Sequence, residues 1–305
     1  MKKPWLMLAA FSLSSGGLLL AQRWYGGGES GFISEDTRTA REVASHSTGT
    51  PEWTNPRGFE KDVFTFSRIR YASGSGGGMA AMFGGRSGGY GRRGRSNSWS
   101  TDTPDSDLNF SYRLQQMTSM KVDPDGRYLR LTDPELADYP FIYIVEPGGL
   151  ELSDAEALAL RRYLLNGGFL MLDDFWGAAE WANMAGQLKK AFPERTFAEL
   201  PLDHPIYHCV FQINTKGQVP NVRQGMMRQY SDEVPTWEDH GPDSEDVHHR
   251  GLFDDKGRLM VLATHNTDNG DGWEREGESD YYFKNFSEKI AYPLGINVVF
   301  YVMTH

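Results

Sequence analysis

Apolar positions in this chain fall in short blocks separated by polar, glycine-bearing or proline-bearing turns. Phe141 to Val145 is a continuous apolar run between Pro140 and Pro147, the pattern of a strand buried on both faces. Gly168 to Asp174 and Arg258 to Ala263 read as two more buried strands, and Val63 to Tyr71 as the strand that opens the fold. Between the blocks the period lengthens to that of helices. Asp105 or Ser106 is placed to cap a helix whose inner face carries Phe110, Leu114 and Met117. Thr132 and Glu135 form a capping box for a short turn with Pro134 at an early position, and Ser153 with Glu156 forms a second. The helix after Ser153 runs to Asn166 and stops at Gly167. Ala178 to Ala191 predicts another, with Trp181, Leu188 and Phe192 facing in and Pro193 ending it. Leu294 to Met303 predicts a closing helix against the sheet, whereas Gln212 to Arg250 has weak periodicity and is expected to be irregular or a lid. Strands alternating with helices of this length predict an α/β fold, a mostly parallel sheet with helices on both faces.

The two ends of the pattern differ from this middle. Lys2 and Lys3 precede an apolar run from Trp5 to Ala21, the layout of a secretory signal. Leu19 makes a poor cleavage match ahead of Ala21, so an uncleaved N-terminal anchor stays open. Residues 22–60 are polar and rich in Gly, Ser, Thr and Pro, and are expected to form a disordered tether. A single α/β domain is expected over 61–305, interrupted at about 73–98 by a Gly-rich low-complexity insertion carrying Arg86, Arg92, Arg93 and Arg95. That insertion reads as a solvated loop, with an anionic envelope polymer as its best candidate partner. The two motif-like matches inside it, at Gly85 to Gly89 and at Gly89, Gly91 and Gly94, lack a flanking strand and helix and carry no chemistry.

Composition narrows the function classes. The chain has 305 residues and a net charge of −10, which argues against a nucleic-acid partner or general attachment to acidic membranes. Membrane contact is expected only through the N-terminal segment if it is retained, and the location is expected to be periplasmic or anchored on the periplasmic side. Cys209 is the one cysteine, so no disulfide within the chain forms.

In open parallel sheets, ligands bind beyond the carboxyl ends of the strands. Those ends are Glu146, then Asp173 and Asp174, then His265 and Asn266. Three carboxylates, a histidine and an amide on one rim suit acid/base work, a metal, or hydrogen bonding to a polyol; alternatively Asp173 and Asp174 cap the next helix. The loop Thr264 to Glu274 adds Asp268, Asp271 and a tryptophan, Trp273, able to stack on a sugar ring, with a tight surface turn as the other reading. Asp203, His204 and His208 have the chemistry for a divalent metal, although Pro205 breaks the helix such a histidine pair would need, and backbone hydrogen bonding within a turn serves the same residues.

Several runs together carry a resemblance. Asp105 to Asn109, Leu131 to Leu136, Tyr163 to Leu170 with Asp173-Asp174-Phe175, Leu200 to Ile206, Asn266, Asp271 to Glu274, and Gly295 to Asn297 resemble the bacterial domain-of-unknown-function family 4159, from Val63 to the C-terminus. The resemblance implies a flavodoxin-like fold of the class I glutamine amidotransferase type, near the trehalose-utilisation proteins. It implies no activity. In amidotransferases a cysteine stands on the sharp turn after the corresponding strand, and here Asp173, Asp174 and Phe175 occupy that region, so the thiolate route is not expected. Two functions remain. One is an envelope module that binds a glycan or a protein partner at the carboxyl rim; the other is a carbohydrate-directed hydrolase or lyase using the rim carboxylates, with or without a metal.

Overall fold

The computed structural model describes residues 33–59, 62–74 and 98–305. The N-terminal apolar run and nearly all of the Gly-rich insertion lie outside them. Among the described residues, no helix is long and apolar enough to cross a membrane.

The strands are β1 (Ser67–Ile69), β2 (Ala72–Ser73), β3 (Arg127–Leu129), β4 (Phe141–Val145), β5 (Leu150–Glu151), β6 (Phe169–Asp173), β7 (Ala198–Glu199), β8 (His248–Phe253) and β9 (Leu259–His265). Seven of them form one sheet in the order β3-β1-β4-β6-β9-β8-β7. The first five in that order are parallel, and β8 and β7 add an antiparallel edge. β2 and β5 pair separately. Along the chain the parallel strands take the order second, first, third, fourth, fifth, which is compatible with a flavodoxin-like fold.

The helices are α1 (Asp105–Met117), α2 (Asp154–Leu165), α3 (Gly177–Ala191), α4 (Val222–Met227), α5 (Asn269–Glu274), α6 (Asp280–Tyr282) and α7 (Tyr292–Thr304), with a π-helical stretch, Phe283–Ala291, between the last two. Alternate residues of each central strand serve opposite faces. Ile142, Ile144, Leu170 and Leu172 pack with Leu160 and Leu164 of α2 and Met184 and Leu188 of α3. Phe141, Tyr143, Phe169 and Met171 pack with Phe110 and Leu114 of α1 and Ile296 and Val299 of α7. Both faces are covered, which is why the strands read as unbroken apolar runs.

Local chemistry bears out some expectations and corrects others. Ser153 and Glu156 form their reciprocal cap on α2, and Gly167 follows it at φ 110°. Asp105 and Ser106 do not cap α1. They lie in its first turn, where Asp105 accepts from Ser45 Oγ and His46 N, and Ser106 Oγ accepts from Arg68. Met117 is exposed and not on the inner face. The Thr132–Glu135 box does not form either: Asp133 holds the cap position of the Pro134–Asp138 turn, and Glu135 pairs with Arg127. Residues 33–59 lie on the domain, held by Arg41 donating to Pro51 and Pro124 carbonyls and Trp53 Nε1 to the Val122 carbonyl. Hydrogen bonds of that kind leave no apolar period, so composition alone reads such a stretch as a tether. Arg68 of β1 is fully buried and bonds bidentately to Asp107 of α1, tying that strand to the helix over it.

Candidate functional site

Three adjacent parallel strands end on a residue in left-handed backbone: Glu146 after β4 (φ 48°), Asp174 after β6 (φ 55°) and Asn266 after β9 (φ 61°). A fourth, Asp102 (φ 62°), stands in the turn before α1. Non-glycine residues in that region cost on the order of 1–3 kcal/mol each and persist only where their surroundings hold them. Here Glu146 N donates to the Asp173 carbonyl at 3.0 Å and Asn266 N to the Phe175 carbonyl at 2.9 Å.

The turns enclose a cavity of about 390 Å³ lined by Asp102, Glu146, Asp174, Glu180, Glu238, Asp268 and Asp271, with His240, Thr101 and Trp176. Thr101 Oγ1 donates to Glu146 Oε1 at 3.0 Å, and Trp176 Nε1 to Asp174 Oδ1 at 2.9 Å. His240 lies between two acids, Nδ1 at 2.7 Å from Glu180 Oε1 and Nε2 at 3.4 Å from Glu238 Oε2. Its bonds to Glu180 and Glu238 push its pKa up to about 10, so the ring is an imidazolium at neutral pH. Burial works against ionisation of Glu238, yet the bonds from His240 and Asn221 hold its carboxyl below the usual range. Asp174 goes the other way: burial, then Glu146 and Glu238, raise it well above that range. Asp102 and Asp268 are raised likewise, by burial and then by neighbouring carboxylates. The site thus holds carboxyl groups pushed in opposite directions side by side.

Of the residues the sequence pointed to, Glu146, Asp174, Asp268 and Asp271 line this cavity. Asp173 does not cap α3, and neither does Asp174; Trp176 holds that position. Asp173 is fully buried and accepts from Tyr143 Oη, Thr264 Oγ1, Asn269 Nδ2 and Gly270 N, which fastens β6 to α5. Asn266 spends its amide on Gly177 N and the carbonyls of Asp243 and Asp246. Trp273 is 1% exposed, packed on Phe110, Phe66 and Tyr143, so it belongs to the core and not to a sugar platform. The segment read as a surface turn is α5, buried because it plugs the end of the sheet under α1.

His204 Nδ1 accepts from Ile206 N, and His208 bonds the Leu202 carbonyl and Gln212. With Asp203 they form no cluster of converging ligand atoms among the described residues. Two other sets do converge within 4.8 Å: Asp243, His248 and His265, and Asp102, Asp268 and Asp271. The first is a poor metal site. His265 faces Gly177 O through Nε2 and Arg250 Nη1 through Nδ1, which occupies both ring nitrogens and places a cation against one. Its burial keeps it neutral, with the pKa lowered to about 4.

Sequence reasoning missed Asp102, Glu180, Glu238 and His240. Glu180 reads as one more exposed helix position. Glu238 and His240 come from the weakly periodic stretch expected to be irregular or a lid, where no spacing marks a residue.

A family model described as Domain of unknown function (DUF4159) matches residues 89–303. It covers α1 to α6, α7 as far as Met303, and all the acidic lining residues, and begins after β1, later than the resemblance read from Val63. None of the curated proteins matches the chain.

Proposed function

We propose, from the premise that this chain belongs to the DUF4159 family, that it binds a polyhydroxylated ligand of the glycan class in the cavity at the carboxyl rim of its sheet. The observation that carries this reading is the lining itself. Seven carboxylic side chains, carried by loops and by the starts of α3 and α5, line a volume of about 390 Å³. That is within the roughly 300–1,000 Å³ typical of small-ligand sites. Ionised carboxylates accept from sugar hydroxyls, and protonated ones donate to ring and linkage oxygens. A location on the periplasmic side of the envelope, where such glycans are found, rests on the basic and apolar layout of residues 2–21. The strand order is compatible with a fold of the class I glutamine amidotransferase type, and a place close to the trehalose-utilisation proteins rests on the sequence resemblance of Ser153 to Asp174 alone.

A second reading, acid/base turnover of the bound glycan, has its own support. Asp174 is raised and Glu238 lowered within one cavity, and carboxyl groups pushed apart in this way suit one proton donor and one base. Cys209 adds nothing to either reading: its thiol bonds the Pro205 carbonyl, away from the rim, and burial raises its pKa.

The test is a thermal-shift screen of the full chain against sugars and envelope glycans. A ligand at a hundred times its Kd stabilises by about 2.7 kcal/mol, a shift of several degrees. The reading expects a hit that Asp174→Ala abolishes, with product formation if the second reading also holds. A hit that Asp174→Ala and Glu146→Ala both leave intact contradicts it.

A further inference from the structure

The cavity is short of positive charge. Among its described lining residues, His240 is the side chain that carries one, and Glu180 and Glu238 already engage it. The nearest arginines are committed elsewhere, Arg68 to Asp107 and Arg275 to Glu274 and Glu278. Asp102, Asp268 and Asp271 bring one carboxylate oxygen each within 4.8 Å of the others. Glu274 and Asp174 add to the negative field there. Asp102 Oδ2 is shut off from solvent and has no hydrogen-bond partner among the described residues. A buried acceptor left bare forfeits one to a few kcal/mol unless something meets it.

The three side chains are also aimed. The Asp268 carboxylate accepts from Asp271 N at 2.7 Å, and Asp271 Oδ2 accepts from Val222 N at 2.7 Å, which fixes both at the start of α5. Asp102 reaches them from the other side, over Gly270, where a Cβ would come within 2.3 Å of Asp102 Oδ2. Only a residue with no side chain lets that oxygen approach.

We infer that Asp102, Asp268 and Asp271 hold a hard divalent cation of the calcium or magnesium class on the floor of the rim cavity. Oxygen ligands alone suit such an ion and not a soft one. Ligand oxygens lie about 2.0–2.6 Å from these ions, so members of one shell stand no more than roughly 4–5 Å apart, and the three oxygens here lie within 4.8 Å of one another. The rest of the shell would come from water or from vicinal hydroxyls of a bound sugar. The inference rests on the reading of the rim as a ligand site, and makes the glycan one that bridges to a metal.

The experiment is calorimetric titration of calcium, and separately magnesium, into the chelator-stripped full chain with no sugar present. One ion per chain is expected, and Asp102→Asn and Asp268→Asn should each weaken binding tenfold or more. Asp203→Asn, remote from the cavity, should leave it unchanged. The two weakening variants sit on different elements, so one suffices if the other fails to fold. Terbium gives an independent readout: sensitised by Tyr282 or Trp273, its emission should fall as calcium displaces it. No saturable binding by either ion, or binding that Asp102→Asn and Asp268→Asn both leave intact, overturns the inference. Calcium binding without any sugar hit removes the glycan reading and leaves the ion; a sugar hit in chelator with no ion bound does the reverse.

Discussion

Single side chains at the rim make distinct statements about pH. His240 has its pKa raised from about 6.5 to about 10 by Glu180 and Glu238. A base held protonated by folding contributes stability that is complete below pH 6.5 and is lost as the pH rises to about 10. The side chain is 38% exposed, so solvent screening holds the contribution to about 1 kcal/mol. His240→Gln should therefore flatten the stability profile between those limits, measured by denaturant unfolding at several pH values. His249 and His265 act on the acid side. Both are kept neutral by burial, with pKa values lowered to about 3 and about 4, so the unfolded chain binds more protons and stability falls as the pH drops below 6.5. The raised carboxyl of Asp102 works in the opposite sense: the folded state holds its proton longer, and wild type should lose stability relative to Asp102→Asn as the pH rises above about 4 in chelator. At this scale the sequence was half legible. Glu146 and Asp174 stand just past the ends of β4 and β6, where the apolar pattern puts them, because a strand's end follows from its period. Asp102 and His240 are brought in by turns whose contacts lie far along the chain, and no local pattern carries that.

At the level of elements, α3 shows how the rim is built. It begins at Gly177 with φ 72°, its N–H bonded to Asn266 Oδ1 and its carbonyl to His265 Nε2. A Cβ there would stand 2.9 Å from Ser244 Oγ and 3.0 Å from the His240 carbonyl. Gly177→Ala is thus expected to destabilise by roughly 1–3 kcal/mol and to displace the His240 turn, seen as faster hydrogen exchange over 238–246. The pairing of β1 with α1 depends on Arg68 and Asp107, both shielded from water. Arg68→Met leaves Asp107 a buried charge with only the Ser106 hydroxyl to meet it, and should cost about 3–5 kcal/mol in equilibrium unfolding. The Ser153–Glu156 cap and the Gly167 stop were readable because they are local devices. Asp105 was misread as a cap for an instructive reason: an acidic residue in a first helical turn looks the same in sequence whether it bonds its own helix or, as here, Ser45 and His46 from a distant segment.

For the whole molecule, charge and topology converge on one place. The chain carries −10 overall, and acidic side chains concentrate where three parallel strands end. Such a field attracts cations, and added salt screens it, so calcium affinity should weaken as ionic strength rises from low to physiological values. The layered α/β order was legible in the alternation of buried strands with capped helices. The antiparallel edge β8-β7 was not, because β7 is two residues long and β8 carries two histidines and an arginine in place of an apolar run. The central claim is that the carboxyl-rim cavity is where this protein meets its ligand. The most direct measurement is a crystal structure of the full chain grown with calcium and the sugar giving the largest thermal shift. Density for the sugar is expected between Glu146 and Asp174, with an ion on Asp102, Asp268 and Asp271. A sugar bound elsewhere, with the cavity holding only water, contradicts it.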